Sequence, residues 1–260
     1  MIQVNKGMMS DRHTFALFVP QLDHVLQKPT PEGSTLVLKD KELWLRLSTV
    51  LRLRDGDLVI FFDTNHNALC RIDTESLAVK NTVTTVIESL GTNKAQNPSL
   101  VLYQGLTKKS VFEEIVYNAA QLGVTTIVPV ITTKTHKPWN VEHERARLQN
   151  IMIAACEQSK NFVLPALAAP LKLESIGAHL NTTYQSILLD PQGPLLTHTL
   201  AANKHLPTGF NLFIGAEGGL TTTEHTNLIT THGFAPHRLC ESILRSQDAT
   251  VVTLGIVRSF

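Results

Sequence analysis

The stretch FNLFIGAEGGL, residues 210–220, decides the fold of the second half of the chain. Its apolar run stops at Gly215, and Thr221 and Glu224 follow with the spacing of a helix-capping box. The pattern predicts a buried strand at 210–214, a glycine-rich turn and then a helix. Ligands bind at such turns in open α/β sheets, because the strand ends leave a crevice there.

The composition of the turn narrows the kind of ligand. Gly215, Gly218 and Gly219 let the backbone approach a ligand closely and adopt positive φ at low steric cost. Glu217 disfavours a bound phosphate, so this is not a phosphate loop of the Walker type. A neutral or cationic ligand suits the turn better. The alternative, an ordinary tight turn between a strand and a helix, stays open on this stretch alone.

Composition indicates a globular protein without a membrane span. The chain has 260 residues, 43% hydrophobic and 17% charged. We expect no transmembrane helix, because no run of about 18 apolar residues occurs, and the N-terminus lacks a secretory apolar core. Three scattered cysteines suggest reduced thiols and a cytoplasmic protein. CxxC and HExxH patterns are absent, so no metal site is predicted.

The charge balance excludes a strongly basic domain. Residues 1–76 carry 9 Lys and Arg against 10 Asp and Glu, and residues 77–260 carry 14 against 12. Any nucleic-acid surface must therefore be a local patch. In the first part, Arg46, Arg52 and Arg54 lie close in sequence. They form either such a patch or an ordinary solvated face.

Residues 1–76 predict a small β-rich domain, which we interpret as a barrel. Strands are expected at 14–19, 34–38, 58–62 and 68–72. Asp55-Gly56-Asp57 is typical of a turn joining residues 51–53 to residues 58–60 as a hairpin. Residues 77–98 predict a linker region with a possible strand at 83–87, and residues 92–98 are its most linker-like part.

Residues 99–260 alternate between strand and helix patterns, which predicts a parallel sheet with helices on both sides. Further strands are expected at 100–103, 125–131 and 186–189, the last ending at Asp190. Ser110 and Glu113 predict a second capping box, and the helix that it opens should stop at Gly123. Asn140 is the predicted cap of a helix through Glu157. A last helix after Ser246 should bury Ala249, Val252 and Ile256.

Several common catalytic motifs are absent. The chain has no GxGxxG dinucleotide fingerprint, no Walker loop and no GxSxG elbow. Dehydrogenase and hydrolase functions therefore have no support in the residues. What remains is the turn with Glu217, the strand end at Leu189-Asp190, and the run of residues 239–245.

These remaining segments carry a resemblance to a known family. The family's GPEGG motif corresponds to residues 215–219, and its LGxRILRxETA motif corresponds to residues 239–249. Its ELGV, EQS and VLRL..GD patterns correspond to residues 121–124, 157–159 and 50–57, and its helix-opening lysine to Lys108. The chain resembles the ribosomal RNA small subunit methyltransferase E family, which comprises 16S rRNA uracil-N3 methyltransferases of the SPOUT superfamily.

The resemblance implies a fold, a cofactor and partners. SPOUT domains carry a deep trefoil knot, which holds S-adenosylmethionine, and the small N-terminal β-barrel resembles RNA-binding PUA modules. The implied partners are 16S rRNA in the small ribosomal subunit and a second copy of the chain, joined through the SPOUT domain. The implied cofactor-binding residues are Leu188, Leu189, Asp190, Ile214, Gly215, Glu217, Gly218, Gly219, Leu239, Ile243, Leu244 and Arg245. The RNA-binding residues we expect are Arg12, Arg46, Arg52, Arg54 and Lys108.

Arg245 is the predicted catalytic residue. When the uracil N3 proton leaves, negative charge develops on the flanking carbonyl oxygens, and a fixed cation would stabilise that charge. The alternative is a structural arginine that ties the knot to a phosphate or to the partner subunit. No residue is assigned as the general base.

The chain also departs from the family pattern at several polar positions, which are Leu45, Arg46, Asn118, Gln121, Asn161, Ala216, Gln247 and Asp248. The glycines and the Ile243-Leu244-Arg245 run are kept, so the cofactor pocket is the firmer expectation. Two other functions stay open. One is a SPOUT methyltransferase that acts on another RNA such as tRNA, and the other is a non-catalytic RNA-binding relative.

Overall fold

The chain divides into two units, Met1–Lys94 and Ala95–Phe260. The computed structural model describes residues 14–26, 31–73, 75–135, 139–203 and 207–260. Each unit has its own sheet, and each is described by itself below.

The first unit is built on a five-stranded sheet with the order β1-β3-β4-β5-β2. Its strands are β1 (Phe15–Phe18), β2 (Thr35–Lys39), β3 (Leu58–Phe62), β4 (His66–Arg71) and β5 (Thr82–Thr92). The short helices α1 (Leu22–Val25) and α2 (Lys41–Leu45) accompany it, and a π-helical segment, Arg46–Val50, follows α2. β1 pairs with β3 in parallel, and the other ladders are antiparallel.

The first unit extends beyond the predicted boundary at residue 76. β5 pairs with both β2 and β4, so half of the predicted linker region is an interior strand of the first sheet. The possible strand at 83–87 is confirmed and lies inside β5, where the alternate residues Val83, Thr85 and Ile87 are buried. The boundary lies at Lys94, inside the predicted 92–98 stretch.

The predicted turn at Asp55-Gly56-Asp57 is present, but it does not join two paired strands as a hairpin. Gly56 does form a turn, with φ +81°, but residues 51–53 form no strand, and β3 pairs instead with β1 and β4. The sheet has β1 and β2 at its opposite ends, and in the described residues no ladder joins them. Closure into a barrel therefore stays a prediction.

The second unit contains a seven-stranded parallel sheet with the order β12-β10-β11-β6-β7-β8, and β9 also pairs with β7. Its strands are β6 (Ser99–Gly105), β7 (Thr126–Ile131), β8 (Ala166–Leu167), β9 (Leu171–Lys172), β10 (Gln185–Leu189), β11 (Gly209–Ile214) and β12 (Ala235–His237). Its helices are α3 (Lys109–Gln121), α4 (Arg145–Ser159), α5 (Leu196–Ala202), α6 (Thr222–Thr230) and α7 (Ser246–Ser259), with a 3-10 segment at Leu173–His179. The predicted parallel sheet is confirmed.

Helices cover both faces of this sheet. Tyr103 of β6 packs on the face that holds Phe213 of β11 and Leu228 of α6. The next residue, Gln104, points to the opposite face, where its side chain hydrogen-bonds to Ser246 and its Oε1 accepts from Thr250 of α7. α6 and α7 therefore lie on opposite sides of the sheet, as predicted.

Two predicted helix starts are wrong. α3 begins at Lys109 with no side-chain cap, so Ser110 lies inside the first turn and caps nothing. Gly123 does stop the helix, with φ +72°. α4 begins only at Arg145, since Asn140 instead caps a separate turn by accepting from the His143 N–H at 3.1 Å. A capping side chain satisfies the same N–H groups in a turn as in a helix, so its presence alone does not fix the helix start.

The predicted apolar face of α7 is also wrong. The buried side carries Ser246, Thr250, Thr253, Leu254 and Val257, while Val252 is exposed. The threonine hydroxyls donate to carbonyls of their own helix, Thr250 to Ser246 and Thr253 to Ala249. Because these polar groups are satisfied, a partly polar side can face the sheet.

The structure also bears on membrane and metal binding. No helix in the described residues is long and apolar enough to cross a membrane. In the same part of the chain, no group of three His, Cys, Asp or Glu side chains is arranged to hold a metal ion.

Candidate active site

A cavity of about 350 Å³ lies where β10 and β11 end, at the glycine-rich turn. This is the edge of a parallel sheet at which ligands bind, and the volume is in the range of small-molecule sites. The cavity is lined by Leu188, Leu189, Asp190, Pro191, Gly215, Gly219, Leu220, Thr221, Thr222 and His225. Leucines and glycines therefore make up half of the lining residues, and the titratable side chains among them are those of Asp190 and His225.

The glycine-rich turn is tight and closely packed. Gly219 has φ +65°, and its N–H donates to the Ala216 carbonyl at 2.9 Å. On the strand side, a Cβ at Gly105 would lie 2.5 Å from the Ala216 nitrogen. Gly105 is thus the residue that lets the end of β6 approach the turn. The turn is held in place by backbone packing, which does not depend on the side chain at position 216.

The predicted capping box at the start of α6 is present. Thr221 Oγ1 accepts from the Glu224 N–H, while the Glu224 carboxylate accepts from the Thr221 N–H and hydroxyl. The second carboxylate oxygen accepts from the Thr133 N–H at 2.7 Å. Burial raises the pKa of Glu224, but these hydrogen bonds from Thr133 and Thr221 outweigh it and hold the pKa below its ordinary value of 4.5. Glu224 therefore joins the loop after β7 to the start of α6.

We expect Glu224→Gln to destabilise the second unit by about 1–3 kcal/mol at pH 7, because an amide cannot accept all of these N–H groups. Since the folded pKa is lowered, the ionised carboxylate stabilises the fold above about pH 4.5. That contribution is lost as the pH falls through the lower folded value. Denaturant unfolding at pH 7 and at pH 3 measures both effects, with the exposed Glu114→Gln on α3 as the matched control. An equal loss of stability at both pH values contradicts the role given to the carboxylate.

Asp190 is fixed in the cavity wall by two contacts. Its Oδ1 accepts from the Gln192 N–H at 2.8 Å, and its Oδ2 lies 2.6 Å from His225 Nε2. The Asp190 side chain is 13% exposed and that of His225 is 38% exposed. Sequence reasoning missed His225, because 35 residues separate it from its partner and its only local signal is its place in the first turns of α6.

Residues 239–245 run beside the loop that follows β10. At one end, Arg238 donates to the Gly193 carbonyl at 2.9 Å. At the other end, Ser246 donates to the Gly215 carbonyl at 2.8 Å, directly at the glycine-rich turn. The segment therefore joins the two loops that border the cavity, although its own predicted site residues are not among the lining residues.

Comparison with known proteins identifies the family. The RNA methyltransferase domain family matches residues 94–258. Ribosomal RNA small subunit methyltransferase E of Synechocystis sp. is 31% identical over 218 residues, which cover 82% of this chain and 69% of that protein. The chain belongs to this methyltransferase E family.

Solved structures show the same fold as this methyltransferase E chain. A methyltransferase E from Neisseria gonorrhoeae, bound to S-adenosyl methionine, superposes with a TM-score of 0.77 at 21% identity, covering 95% of this chain and 98% of that one. A methyltransferase from Legionella pneumophila in complex with the same cofactor gives 0.75 at 24% identity, with the same coverage.

The structure brings together only part of the predicted cofactor set of this methyltransferase E chain. Leu188, Leu189, Asp190, Gly215 and Gly219 line the cavity. Ile214 is buried at the end of β11, and Glu217 and Gly218 are exposed on the turn. Leu239, Ile243, Leu244 and Arg245 do not line the cavity, and their cofactor contacts stay predictions. Lining residues that the sequence did not suggest are Pro191, Leu220, Thr221, Thr222 and His225.

The predicted RNA-binding residues fall in different places. Arg46 begins the π-helical segment of the first unit, and Arg52 and Arg54 are exposed shortly after it. Lys108 is exposed in the second unit, directly before α3. Arg12 lies outside the described residues.

The cysteines provide a probe of the segment 239–245. Burial raises the pKa of the Cys70 and Cys156 thiols to about 12, so neither forms a thiolate near neutral pH. Cys240 is exposed. We expect a thiol reagent to label Cys240 alone in the folded protein, and S-adenosylmethionine to slow this labelling if the segment closes over the cofactor. Mass spectrometry of the labelled peptides gives the rates. Labelling of Cys240 at the same rate with and without cofactor removes the segment from the site.

Proposed function

We propose that this protein transfers the methyl group of S-adenosylmethionine to N3 of a uridine near the 3′ end of 16S rRNA in the small ribosomal subunit. As a methyltransferase E family member, the chain is an S-adenosylmethionine-dependent rRNA methyltransferase. The observation that carries the proposal is the cavity at the glycine-rich turn, whose wall includes Gly215 and Gly219 of the family motif.

The cavity suits the cofactor. Leu188, Leu189 and Leu220 offer an apolar wall for a purine ring, and the backbone at Gly215 and Gly219 permits close approach. Asp190 adds a carboxylate, which is compatible with a cation and incompatible with a phosphate. A cationic nucleoside fits this combination, whereas a nucleotide does not.

Methyl transfer requires mainly that the methyl group and the uracil N3 are aligned, and that the negative charge on the uracil oxygens is stabilised. When bound, S-adenosylmethionine supplies a methyl group that its sulfonium already activates. The protein's residues orient the target base and exclude water. Arg245 is proposed to donate to the uracil oxygens as the N3 proton leaves, and the bond of its neighbour Ser246 to the Gly215 carbonyl supports a position near the turn. It is the catalytic residue of the proposal.

RNA affinity is proposed to reside in local cations, because the net charge of the chain is only +1. In the first unit these are Arg46, Arg52 and Arg54, together with Arg12 outside the described residues. Lys108 contributes separately in the second unit. With few phosphates neutralised, affinity should fall with salt along a shallow slope.

The finer architecture of the family is part of the proposal. A trefoil knot in the second unit is supported by the return of α7 to the start of that unit, where Arg258 donates to the carbonyls of Pro98, Leu122 and Gly123. A homodimer is supported by Val251 and Val252, apolar residues exposed on α7. We also propose a PUA-like barrel for the first unit and a cytoplasmic location.

Methylation of small ribosomal subunits tests the proposed function. Subunits from a bacterial strain that lacks its own uracil-N3 methyltransferase are incubated with the protein and labelled S-adenosylmethionine, and the rRNA is then digested and analysed by mass spectrometry. We expect 3-methyluridine in the fragment nearest the 3′ end of 16S rRNA. Total tRNA and free 16S rRNA serve as parallel substrates. Methylation of tRNA alone overturns the assigned target, and cofactor binding without methylation of any RNA favours the non-catalytic relative.

A further inference from the structure

The cavity contains one carboxylate with a fixed orientation. Asp190 lies at the end of β10, and Gln192 and His225 contact different oxygens of its carboxylate. Its own backbone N–H donates to the His237 carbonyl at 2.9 Å, so the main chain at this residue is tied to β12. Both the backbone and the side chain of Asp190 are therefore held in place without a ligand.

The contacts with Gln192 and His225 leave the Asp190 carboxylate able to accept further hydrogen bonds. An ionised carboxylate has about four lone-pair sites, and the two hydrogen bonds to Asp190 occupy two of them. The Nε2 of His225 is the donor toward Asp190, since a carboxylate only accepts. With a neutral imidazole, the pair carries one negative charge on the wall of the cavity.

Two other acidic residues near the turn, Glu217 and Glu224, do not line the cavity, and the Glu224 carboxylate already accepts from Thr133 and Thr221. Glu217 belongs to the family motif, but it is exposed and does not line the cavity. Water screens an exposed carboxylate far more than one that is mostly buried. Asp190 is therefore better placed than Glu217 to sense the charge of a bound ligand.

We infer that Asp190, positioned by His225, is the residue that selects the cationic sulfonium cofactor over its neutral thioether product. This inference rests on the proposed function, since it takes S-adenosylmethionine as the ligand. The two ligands share the adenosine and the amino-acid groups and differ by the methyl group and the positive charge. A carboxylate on the cavity wall thus lowers the free energy of the cofactor complex and leaves the product complex little affected. This preference favours product release after each transfer.

Titration calorimetry with both ligands tests the charge selection. The ratio of the S-adenosylmethionine affinity to the S-adenosylhomocysteine affinity is measured for the wild type and for Asp190→Asn in the same buffer at pH 8. We expect the ratio to fall roughly tenfold in the variant, the order of a single charge interaction at a partly buried site. Asp55→Asn, an exposed aspartate of the first unit, is the matched control and should leave the ratio unchanged.

His225 is tested as a positioning residue. Glutamine keeps an N–H donor toward Asp190, whereas leucine removes it. We expect His225→Gln to retain most of the affinity ratio and His225→Leu to reduce it. Thermal melting of each variant checks that the fold is intact. Equal ratios in the glutamine and leucine variants remove His225 from the inference.

A second test of the charge selection uses the wild-type protein alone. An analogue with an ammonium in place of the sulfonium should bind the wild type more tightly than the neutral thioether does. An analogue no tighter than the thioether overturns the inference, as does an equal loss of both ligands in Asp190→Asn. If the ratio of the two ligand affinities falls in Glu217→Gln and not in Asp190→Asn, Glu217 on the turn, and not Asp190, selects the charged ligand. If the wild-type protein binds neither ligand, the proposed function itself fails, which is a different result.

Discussion

Replacing Gly219 with valine is expected to abolish S-adenosylmethionine binding, with a loss of affinity of at least about a hundredfold. Gly219 lines the cavity and has φ +65°, a conformation that β-branched residues avoid. A Cβ added there meets no protein atom within 4 Å, so the new side chain would start in the open space beside the cavity. The valine therefore changes the backbone conformation of the turn and also fills part of the space that the ligand would occupy. Calorimetric titration with the cofactor measures this loss.

Gly233→Val separates backbone strain from the effect on the cavity. Gly233 follows α6, has φ +71° and is likewise surrounded by open space, but it does not line the cavity. We expect this variant to lose a similar amount of stability, about 1–3 kcal/mol, and to keep its cofactor affinity. If both variants lose affinity equally, general strain and not the cavity explains the result.

Gly218→Val should act by a different route. A Cβ at this position would lie 2.9 Å from the Lys134 carbonyl oxygen, so the loop after β7 must move. The same loop holds Thr133, which donates to Glu224. A loss of binding in Gly218→Val is therefore expected to come with a lower melting temperature, unlike a loss caused by filling the cavity.

Local signals predicted the part of the fold that surrounds the cavity. The strand at 210–214 and the capping box of Thr221 and Glu224 depend on residues within a few positions of each other, and both are confirmed. The parallel sheet followed from the alternation of strands and helices. The segment after β10 was also expected at the site, because strand ends of a parallel sheet meet at one edge.

Features that depend on distant partners were missed. The sequence predicted only a possible strand at 83–87 within a linker region, because the full length and burial of β5 are decided by its pairing with β2 and β4. The buried side of α7 carries Ser246, whose hydroxyl oxygen accepts from the amide of Gln104, 142 positions away. His225 gains its place at the site only through Asp190. In each case a polar residue is buried or positioned by a contact with a residue far away in the sequence. The spacing of apolar residues along a strand or helix does not predict such a contact.

The position of Arg245 gives the second large prediction. It is the N-cap residue of α7, and its carbonyl accepts from the Ala249 N–H at 2.8 Å. A cation at the N-terminus of a helix is disfavoured by the helix dipole, so the side chain does not stabilise α7. The next residue, Ser246, is bonded to Gly215. Arg245 is therefore exposed at the start of α7, next to a residue bonded to the glycine-rich turn, and its charge is unfavourable for the helix, which favours a functional role.

We expect Arg245→Lys to lower the rate of methyl transfer by about 10²–10³, the usual cost of losing a donor to a developing oxyanion. Lysine keeps the charge but loses the planar fork of donors. Cofactor affinity should change little, because Arg245 does not line the cavity. Single-turnover methylation of small ribosomal subunits and calorimetry with S-adenosylmethionine measure the two quantities. Arg147→Lys, an exposed arginine on α4, is the matched control and should react at the wild-type rate.

The pattern of results separates the two roles of Arg245. A slow variant with normal cofactor binding, melting and sedimentation supports charge stabilisation at the uracil oxygens. Wild-type turnover in Arg245→Lys rules that role out. A variant that melts early, or that no longer associates with a second copy, instead identifies Arg245 as a structural arginine. In that case the charge on the uracil oxygens must be met by other donors, such as backbone N–H groups, because no Lys or Arg of the described residues lines the cavity.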